Sequence, residues 1–329
     1  MLRIGLMGTG RAGTNHVAAY QKLGDAQLHM VTDVSAESAR QAAARCGAQA
    51  VASPEDILRS PDVDVVDICV PTFLHREYVT RVAEAGKHVI CEKPIALTVE
   101  DGQAMIDACR EAGVRFFVAH PTRFLPDTRR IKSLLDSGAF GRPLLAKTRR
   151  GGRFFPGVNG WIDDVSKSGS ILVEAMLHDF DALRWYFGPV EDVYCAWQVS
   201  EEPCHLEAAF ATLRFRNGVI AMVEGNRIHN DRFYNTAEIS CTGGALTFDR
   251  RNTAPLRVTM AAFDGNAVSL STSYASPDEF DQFEAELDHF VSCIQSGQPA
   301  ITTPEDAVGS LAIALAAVRS HQSGTVIKL

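Results

Sequence analysis

The stretch that decides the fold is Arg3-Ile4-Gly5-Leu6-Met7-Gly8-Thr9-Gly10-Arg11-Ala12-Gly13, an apolar run that leads directly into spaced glycines. A Gly-x-Gly-x-x-Gly pattern between a strand and a helix is typical of dinucleotide binding. The first glycine allows a tight turn, the second lets the backbone approach a pyrophosphate, and the third lets helix and strand pack closely. Amides at the start of the following helix then face the phosphates. We therefore expect a dinucleotide to contact Gly8, Thr9, Gly10, Arg11, Ala12 and Gly13.

Around this motif, short apolar runs alternate with helical stretches as far as residue 121. The apolar runs are 3–7, 27–32, 63–70, 88–91 and 115–119, and the helical stretches between them include 11–23, 36–46, 73–85 and 98–112. Alternation of this kind predicts an α/β Rossmann domain, with a doubly wound parallel sheet. Ser53 and Pro54 add a helix start, because serine is a common N-cap and proline fits the first turn.

A carboxylate lies at the end of the second predicted strand. Asp33 follows Gly13 by twenty residues (33 − 13), where an acidic side chain accepts hydrogen bonds from the adenosine ribose and repels a 2′-phosphate. The segment that starts at Val34 has no arginine placed to bind that phosphate. We therefore predict contacts from Asp33 and Val34, with NAD rather than NADP as the cofactor. The alternative is that Asp33 only caps the following helix.

Glu92-Lys93-Pro94 closes the apolar strand 88–91. Open α/β sheets bind ligands at the carboxyl ends of their strands, so Lys93 could reach both a cofactor and the molecule beside it, with Glu92 also at the site. The alternative is a solvated Glu-Lys pair before a loop proline. Thr72 follows the preceding predicted strand, 63–70. We expect it to cap the next helix and to face the nicotinamide side of the cofactor site. His75 is either a cofactor contact or an ordinary, partly exposed histidine.

Past residue 121 the pattern changes to an α+β one. A helical stretch at 122–137 is followed by predicted strands at 143–151, 190–200, 204–216, 218–229, 233–241 and 244–248. Asn217-Gly218 is a hairpin signal, and consecutive strands predict a large, mostly antiparallel open sheet with helices on one face. Two closing helices start at Ser276-Pro277 and Thr303-Pro304. The predicted domains are a dinucleotide-binding domain, 1–121, and a substrate-binding and oligomerisation domain, 122–329.

Residues 171–185 predict a largely apolar, buried helix that carries Glu174, His178 and Asp181 at i, i+4 and i+7. Buried ionisable groups are costly unless paired, and a carboxylate one turn from an imidazole can satisfy it. The same pair forms a general base whose basicity the carboxylate sets. The alternative is a salt bridge with a purely structural role.

With these motifs the chain resembles the glucose–fructose oxidoreductase / inositol dehydrogenase / rhizopine catabolism (Gfo/Idh/MocA) family over essentially its whole length. The resemblance rests on Gly8–Gly13, Glu92-Lys93-Pro94, Ser168-Gly169-Ser170, Glu174-x-x-x-His178-Asp179 and the ending at 310–329. Glu174 stands where inositol-dehydrogenase-like members carry aspartate. Pro121-Thr122-Arg123-Phe124 departs from the two arginines of many members.

The resemblance implies an NAD(P)-dependent oxidoreductase that acts on CH-OH groups of sugars or cyclitols. By position, Lys93 matches the lysine that contacts nicotinamide and reacting hydroxyl, and His178 matches the catalytic histidine, with Glu174 beside it. We expect a polyol or sugar substrate, contacted by Arg123, Arg153, Trp161 and His178, and a homodimer or homotetramer through the second sheet. The alternatives are a same-fold reductase or dehydrogenase of another small substrate, and a dinucleotide-sensing regulator without chemistry.

The composition narrows the class of protein further. Apolar residues make up 46% of the chain, and its eight cysteines contain no Cys-x-x-Cys pair, which argues for a reducing compartment and against a metal site. A net charge of −8 disfavours nucleic acid as a partner. No secretory signal and no apolar run of about 18 residues are found, so a cytoplasmic protein without a membrane span is expected.

Overall fold

The computed structural model describes residues 1–152, 155–200, 206–228, 233–260, 270–274 and 281–329. Two compact units make up the chain. The first contains Met1–Phe124 and Asp281–Leu311, and the second contains Leu125–Phe280 and Ala312–Leu329. None of the helices in the described ranges combines the length and apolarity needed to cross a bilayer.

The first unit is built on a parallel sheet of six strands in the order β3-β2-β1-β4-β5-β6. This is the doubly wound arrangement that the alternating pattern predicted. Its elements are β1 (Leu2–Met7), α1 (Arg11–Tyr20), β2 (Ala26–Thr32), α2 (Ala36–Cys46), β3 (Gln49–Ala50), α3 (Pro54–Arg59), β4 (Val65–Ile68), α4 (His75–Glu84), β5 (His88–Glu92), α5 (Val99–Glu111) and β6 (Phe116–Ala119).

The strand order reverses between β1 and β4, which are neighbours in the sheet. Ligands of open α/β sheets bind outside the carboxyl ends of the strands at such a point. The glycine-rich loop follows β1 there, and the loop with Lys93 follows β5, the next strand beyond β4. The strands β4 and β5 are buried almost throughout, which explains their apolar sequences.

Helix α10 (Gln282–Ser296) and the start of α11 (Pro304–Ser323) complete the first unit although they follow the second sheet in the sequence. The ring of Phe290 stacks on Phe117 of β6 at 5.0 Å between centroids. Leu287 and Val291 belong to the same buried cluster as the strands of the first sheet. The prediction divided the chain once, at residue 121. In the structure the first unit also contains residues 281–311, which come after most of the second unit in the sequence.

The second unit is built on a nine-stranded sheet in its described part, in the order β14-β13-β12-β11-β7-β10-β9-β8-β15. All neighbours are antiparallel except β7 and β10, so the prediction of a mostly antiparallel sheet is confirmed. Its elements are α6 (Pro126–Asp136), β7 (Pro143–Gly151), α7 (Val165–Ser168), α8 (Ser170–Glu174), α9 (Leu177–Phe187), β8 (Val190–Ser200), β9 (Leu206–Phe215), β10 (Ile220–Asn226), β11 (Tyr234–Cys241), β12 (Gly244–Asp249), β13 (Leu256–Met260), β14 (Leu270–Tyr274) and β15 (Ile327–Lys328).

The two faces of this sheet differ in exposure. Side chains alternate along β9 and β10, so that Ala211, Leu213 and Val223 are buried. Met176, which lies between α8 and α9, is pressed so closely against β10 that a Cβ on Gly225 would come within 2.5 Å of its side chain. The opposite face is exposed and carries large apolar side chains, which are Tyr194, Phe210, Ile220 and Met222.

Two predicted helix starts are wrong. Thr72 does not cap a helix: it is the first residue of a 3₁₀ turn, Thr72–Leu74, which Leu74 N closes on Pro71 O, and α4 begins only afterwards. The helix expected from residue 122 begins at Pro126, after a second 3₁₀ turn, because proline lacks the N–H that an inner helix position requires. The predicted start at Ser276 lies outside the described residues.

Candidate active site

The glycine-rich loop has the shape that a bound dinucleotide requires. Gly8 has a φ of +94°, and a Cβ on it would lie 2.6 Å from Cys69 O. A Cβ on Gly13 would lie 2.1 Å from Gly8 O, so this position tolerates only glycine. A Cβ on Gly10 would instead meet no described atom within 4 Å. Gly8 and Gly13 therefore serve the fold, and Gly10 leaves open the space that a pyrophosphate needs.

Asp33 holds the same loop from the end of β2. Its Oδ2 accepts hydrogen bonds from Thr9 N at 2.6 Å and from Thr9 Oγ1 at 2.9 Å, and its Oδ1 accepts from Ser35 N at 2.8 Å. The side chain that caps α2 is Ser35, whose Oγ accepts from Ser38 N. The capping alternative for Asp33 is therefore wrong. Val34 beside it is 99% exposed, which leaves its side chain open to a ligand.

The loop that carries Lys93 is fixed from two sides. Glu92 is buried, and its Oε2 accepts a hydrogen bond from Lys93 N at 3.0 Å. His75 is buried too, with Nδ1 2.8 Å from Pro94 O and Nε2 3.0 Å from Val70 O. Burial lowers the pKa of His75 and favours the neutral imidazole, whose single N–H donates to one of these two carbonyls. His75 is therefore not the partly exposed residue of the simpler alternative, but a link between the segments that follow β4 and β5.

A group of buried ionisable side chains lies beneath this loop in the first unit. His16 of α1 places Nδ1 2.7 Å from Asp67 Oδ2 and Nε2 3.2 Å from Glu92 Oε1. Tyr20 Oη donates to Asp67 Oδ2 at 3.0 Å. Cys69 Sγ lies 3.4 Å from His16 Nδ1. Both nitrogens of His16 face carboxylates, and when both carboxylates are ionised only the doubly protonated imidazolium has an N–H for each of them.

The electrostatics of this group agree with a charged imidazolium. Burial alone would lower the pKa of His16. The negative charge of Asp67 and the contact between His16 and Cys69 instead raise the pKa of His16 well above its ordinary value. Burial would raise the pKa of Glu92, but the close contact and the charge of His16 lower it below the ordinary value. Burial raises the pKa of Cys69, so this thiol stays protonated.

In the second unit, the expected continuous helix over 171–185 is wrong. Helix α8 ends at Glu174 and α9 begins at Leu177, with Ala175 at φ −106°, ψ −53° between them. Met176 N donates to Ile171 O, a wider turn than an α-helical one, and places the Met176 side chain against Gly225. The break therefore lies between Glu174, the last residue of α8, and His178, which is in the first turn of α9.

Glu174 has an arginine partner that the sequence did not suggest. The carboxylate of Glu174 forms an ion pair with Arg227, which follows β10. Arg227 Nη1 also donates to Glu207 Oε2 at 2.8 Å, and Glu207 Oε1 accepts from Ile171 N at 3.1 Å at the start of α8. Arg227 thus ties the last residue of α8 to a buried carboxylate of β9.

His178 itself is partly exposed in the first turn of α9. Its neighbour Asp179 is buried, and Asp179 Oδ2 accepts from Arg150 Nε of β7 at 2.6 Å. Asp181, the third predicted member of the set, is fully buried. The imidazole of His178 is therefore presented from a helix whose following turn is anchored in the core.

The other predicted substrate contacts have different surroundings. Arg123 is only 1% exposed, and its Nη1 donates to Ile301 O at 2.9 Å and to Asp306 Oδ2 at 3.0 Å, so these contacts serve the packing of the first unit. Trp161 is partly exposed at the end of a short 3₁₀ turn, Val158–Gly160. Arg153 lies outside the described residues. For Arg123 and Trp161, a substrate contact stays a prediction.

Two residues of functional interest, His16 and Arg227, were missed by sequence reasoning. His16 comes three residues after the last glycine of the motif, and one of its partners, Asp67, interrupts the apolar run Val65-Val66-Asp67-Ile68. A lone carboxylate in a buried strand signals a buried partner, which could have been sought. Arg227 offered no such signal.

Comparison with known proteins gives consistent matches along the chain. Residues 2–120 match the model of an oxidoreductase family with an NAD-binding Rossmann fold, GFO_IDH_MocA, and residues 132–329 match its C-terminal alpha/beta domain. The chain is 29% identical to myo-inositol 2-dehydrogenase of Thermotoga maritima, over 100% of this chain and 98% of that protein. It is 30% identical to 1,5-anhydro-D-fructose reductase of Ensifer adhaerens, over 100% of this chain and 99% of that protein.

The fold of the chain is also similar to that of a solved structure. The structure of a levoglucosan dehydrogenase in complex with NADH and levoglucosan is similar with a TM-score of 0.89 and 25% identity, over 99% of both chains.

Proposed function

The chain belongs to the Gfo/Idh/MocA family of NAD-binding oxidoreductases, and we propose that it reversibly oxidises a secondary hydroxyl of a sugar or cyclitol. The observation that carries the proposal is the fixed position of Lys93. It follows β5 directly at the carboxyl edge of the dinucleotide-binding sheet, with its amide bound by Glu92 and its loop bound by His75. A sensor of the dinucleotide needs no lysine held in this way.

The residues of the first unit fit NAD. The open space at Gly10 accepts the pyrophosphate beside the start of α1, and the exposed Val34 lies next to Asp33, whose carboxylate suits the ribose hydroxyls. The negative charge of Asp33 opposes a 2′-phosphate, which favours NAD over NADP. When bound, the nicotinamide supplies the hydride acceptor for the carbinol carbon.

Lys93 stabilises the charge that develops on the reacting oxygen. As the carbinol C–H bond breaks and the hydroxyl proton leaves, the oxygen passes through alkoxide character to a carbonyl. An ammonium group held beside it lowers the energy of that state more than the energy of the bound alcohol. Because its amide is fixed by a buried carboxylate, the lysine starts from a defined backbone position.

His178 takes the hydroxyl proton as the general base. The proton moves from the substrate oxygen to an imidazole nitrogen, and it returns in the reductive direction. Glu174 is proposed to support the imidazolium that forms, in the role that the resemblance assigns to it. The ion pair with Arg227 holds the Glu174 carboxylate at the end of α8, and Ser170 has a φ of +77° at the start of that short helix.

The relatives indicate the class of substrate. Their names refer to inositol, anhydrosugar and sugar derivatives, all of which present secondary hydroxyls or the corresponding carbonyl. We propose a substrate of this polyol class for the present chain, with Arg123, Arg153 and Trp161 as predicted contacts. Reduction of a carbonyl is the second candidate for the physiological direction, and the 30% identity to a reductase supports it.

The assembly we propose is a homodimer or homotetramer formed through the second sheet. Its exposed face presents Tyr194, Phe210, Ile220 and Met222 on adjacent strands, with exposures of 45–57%. An exposed sheet face with several large apolar side chains is typical of an interface between subunits. A cytoplasmic location is proposed from the cysteines, since those in the described ranges are thiols and not disulfides.

A panel of inositols, aldoses, anhydrosugars and sugar acids tests the proposal. Each compound is supplied with NAD or NADP, and the absorbance of reduced nicotinamide is recorded. The proposal predicts turnover of at least one cyclic polyol with NAD as the better cofactor. Tight NAD binding with no turnover of any compound in either direction would favour the dinucleotide-sensing alternative.

A further inference from the structure

His16 connects three elements of the first unit from a fully buried position. It extends from α1, the helix that follows the glycine-rich loop, to Asp67 of β4 and Glu92 of β5. None of these contacts is required by the hydrogen bonding of the sheet itself. A buried, charged side chain is costly unless its partners compensate it, so this arrangement calls for an explanation.

The contact with Glu92 is of a particular kind. The 3.2 Å between His16 Nε2 and Glu92 Oε1 is the distance of an ion pair, but the nitrogen lacks the alignment of a regular hydrogen bond. The other carboxylate oxygen of Glu92 accepts the N–H of Lys93. One carboxylate therefore receives the charge of His16 on one oxygen and the backbone of the lysine on the other.

Other ionisable groups face His16 from the elements packed around it. Glu286 of α10 is fully buried, and burial raises its pKa well above the ordinary value, which favours the neutral carboxyl. Burial likewise raises the pKa of Tyr20. The groups that surround the imidazole are Asp67, Cys69, Tyr20, Glu92 and Glu286, with Lys93 next to Glu92.

We propose that His16 is a positioning residue for the reaction: through its ion pair with Glu92 it keeps that carboxylate ionised, and the ionised carboxylate holds the backbone at Lys93. The inference rests on the proposed role of Lys93. It also couples the helix at the pyrophosphate to the loop with the lysine, because His16 belongs to α1. A misplaced lysine would weaken charge stabilisation in the transition state while leaving most contacts with the dinucleotide intact.

Two single variants and their combination test the inference on the full chain. H16Q removes the cation, and E92Q keeps the size of the side chain but removes its charge. In each variant we expect kcat to fall by about 10- to 100-fold, while the Kd for NADH changes far less. The double variant should lose no more than either single one, because both changes break the same link.

The pH profile separates positioning from general damage. Without the cation of His16, Glu92 binds a proton at a higher pH, so the decline of kcat on the acid side should begin at a higher pH in H16Q than in the wild type. E92Q lacks this ionisation, and adding H16Q to it should not displace the profile further. The control is Ile57→Ala, a core truncation in α3 that lowers thermal stability away from this group. It should leave the pH profile unchanged.

The outcomes distinguish this inference from the function on which it rests. If Lys93→Ala retains full activity, the role of Lys93 fails and the inference fails with it. If Lys93→Ala is inactive but E92Q keeps wild-type kcat and pH profile, His16 and Glu92 have only a structural role and the inference is overturned. E92Q gives this answer even if H16Q does not fold.

Discussion

His16 Nε2 lies 3.2 Å from Glu92 Oε1, and both side chains are buried in the first unit. The contact joins the helix that follows the glycine-rich loop to the residue that precedes Lys93. The dinucleotide-binding motif and the lysine motif are 79 residues apart between Gly13 and Glu92 (92 − 13), and yet one ion pair connects their elements. The ion pair therefore connects the helix after the glycine-rich loop directly to the loop that carries Lys93.

Alanine at Gly13 should lower the stability of the protein, whereas alanine at Gly10 should lower its affinity for NAD. G13A places a Cβ 2.1 Å from Gly8 O, so we expect it to destabilise the protein by about 1–3 kcal/mol or more. G10A meets no described atom within 4 Å, so its thermal stability should match the wild type while its affinity for NAD falls. Thermal unfolding and NAD titration of both variants check this. Normal NAD affinity in G10A would contradict the assigned pyrophosphate site.

Asp33 should decide the choice between NAD and NADP. D33N keeps the shape of the side chain but removes the charge that opposes a 2′-phosphate, so the ratio of kcat/KM for NADP to that for NAD should rise by about 10- to 100-fold. E37Q is the matched control, because Glu37 is an exposed carboxylate in the first turn of α2. An unchanged ratio in D33N would show that Asp33 serves only to hold Thr9.

Glu286 should make stability fall as pH rises. Its folded-state pKa is raised above the ordinary value of 4.5 by burial, so its full contribution is present below that pH and is lost as the pH rises towards the folded-state pKa. E286Q has no carboxyl to titrate, so this loss disappears. Above pH 4.5, the free energy of unfolding of E286Q relative to that of the wild type should rise by up to about 1.4 kcal/mol per pH unit. Denaturant unfolding between pH 5 and 8 measures the difference. D288N is the control, because Asp288 is an exposed carboxylate of α10, and it should follow the wild-type curve. A curve for E286Q parallel to that of the wild type would refute the buried neutral carboxyl.

Arg227 should matter far more to stability than an exposed arginine of the same sheet. R227M removes the cation beside Glu207, which is only 1% exposed, and we expect a loss of about 3–5 kcal/mol in the free energy of unfolding. R149M breaks the exposed pair with Glu224 and should cost less than about 1 kcal/mol. Equal losses in the two variants would mean that Arg227 is not the anchor of α8.

The sequence alone was sufficient for the first sheet and for its cofactor loop. Strand and helix periods are local, and the three glycines have separate local tasks, so neither required knowledge of distant contacts. The start of α3 at Pro54 was predictable for the same reason, since Ser53 and Asp56 form its capping box.

What could not be predicted depends on contacts between distant residues. The helix over 171–185 breaks because Met176 packs against Gly225, which lies on a strand about fifty residues later. The pairing of Glu174 with Arg227 spans 53 residues, and the pairing of His16 with Asp67 spans 51. The return of α10 to the first unit likewise follows from the packing of Phe290 on Phe117 and not from a local pattern.

The most direct measurement of the central claim is NAD affinity and turnover of Lys93→Ala, determined separately with the best polyol from the substrate panel. The account predicts that kcat falls by about 100- to 1,000-fold, because charge stabilisation on the reacting oxygen is lost, while the Kd for NAD changes far less. Turnover at the wild-type rate in this variant would contradict the assignment of Lys93 to the chemistry.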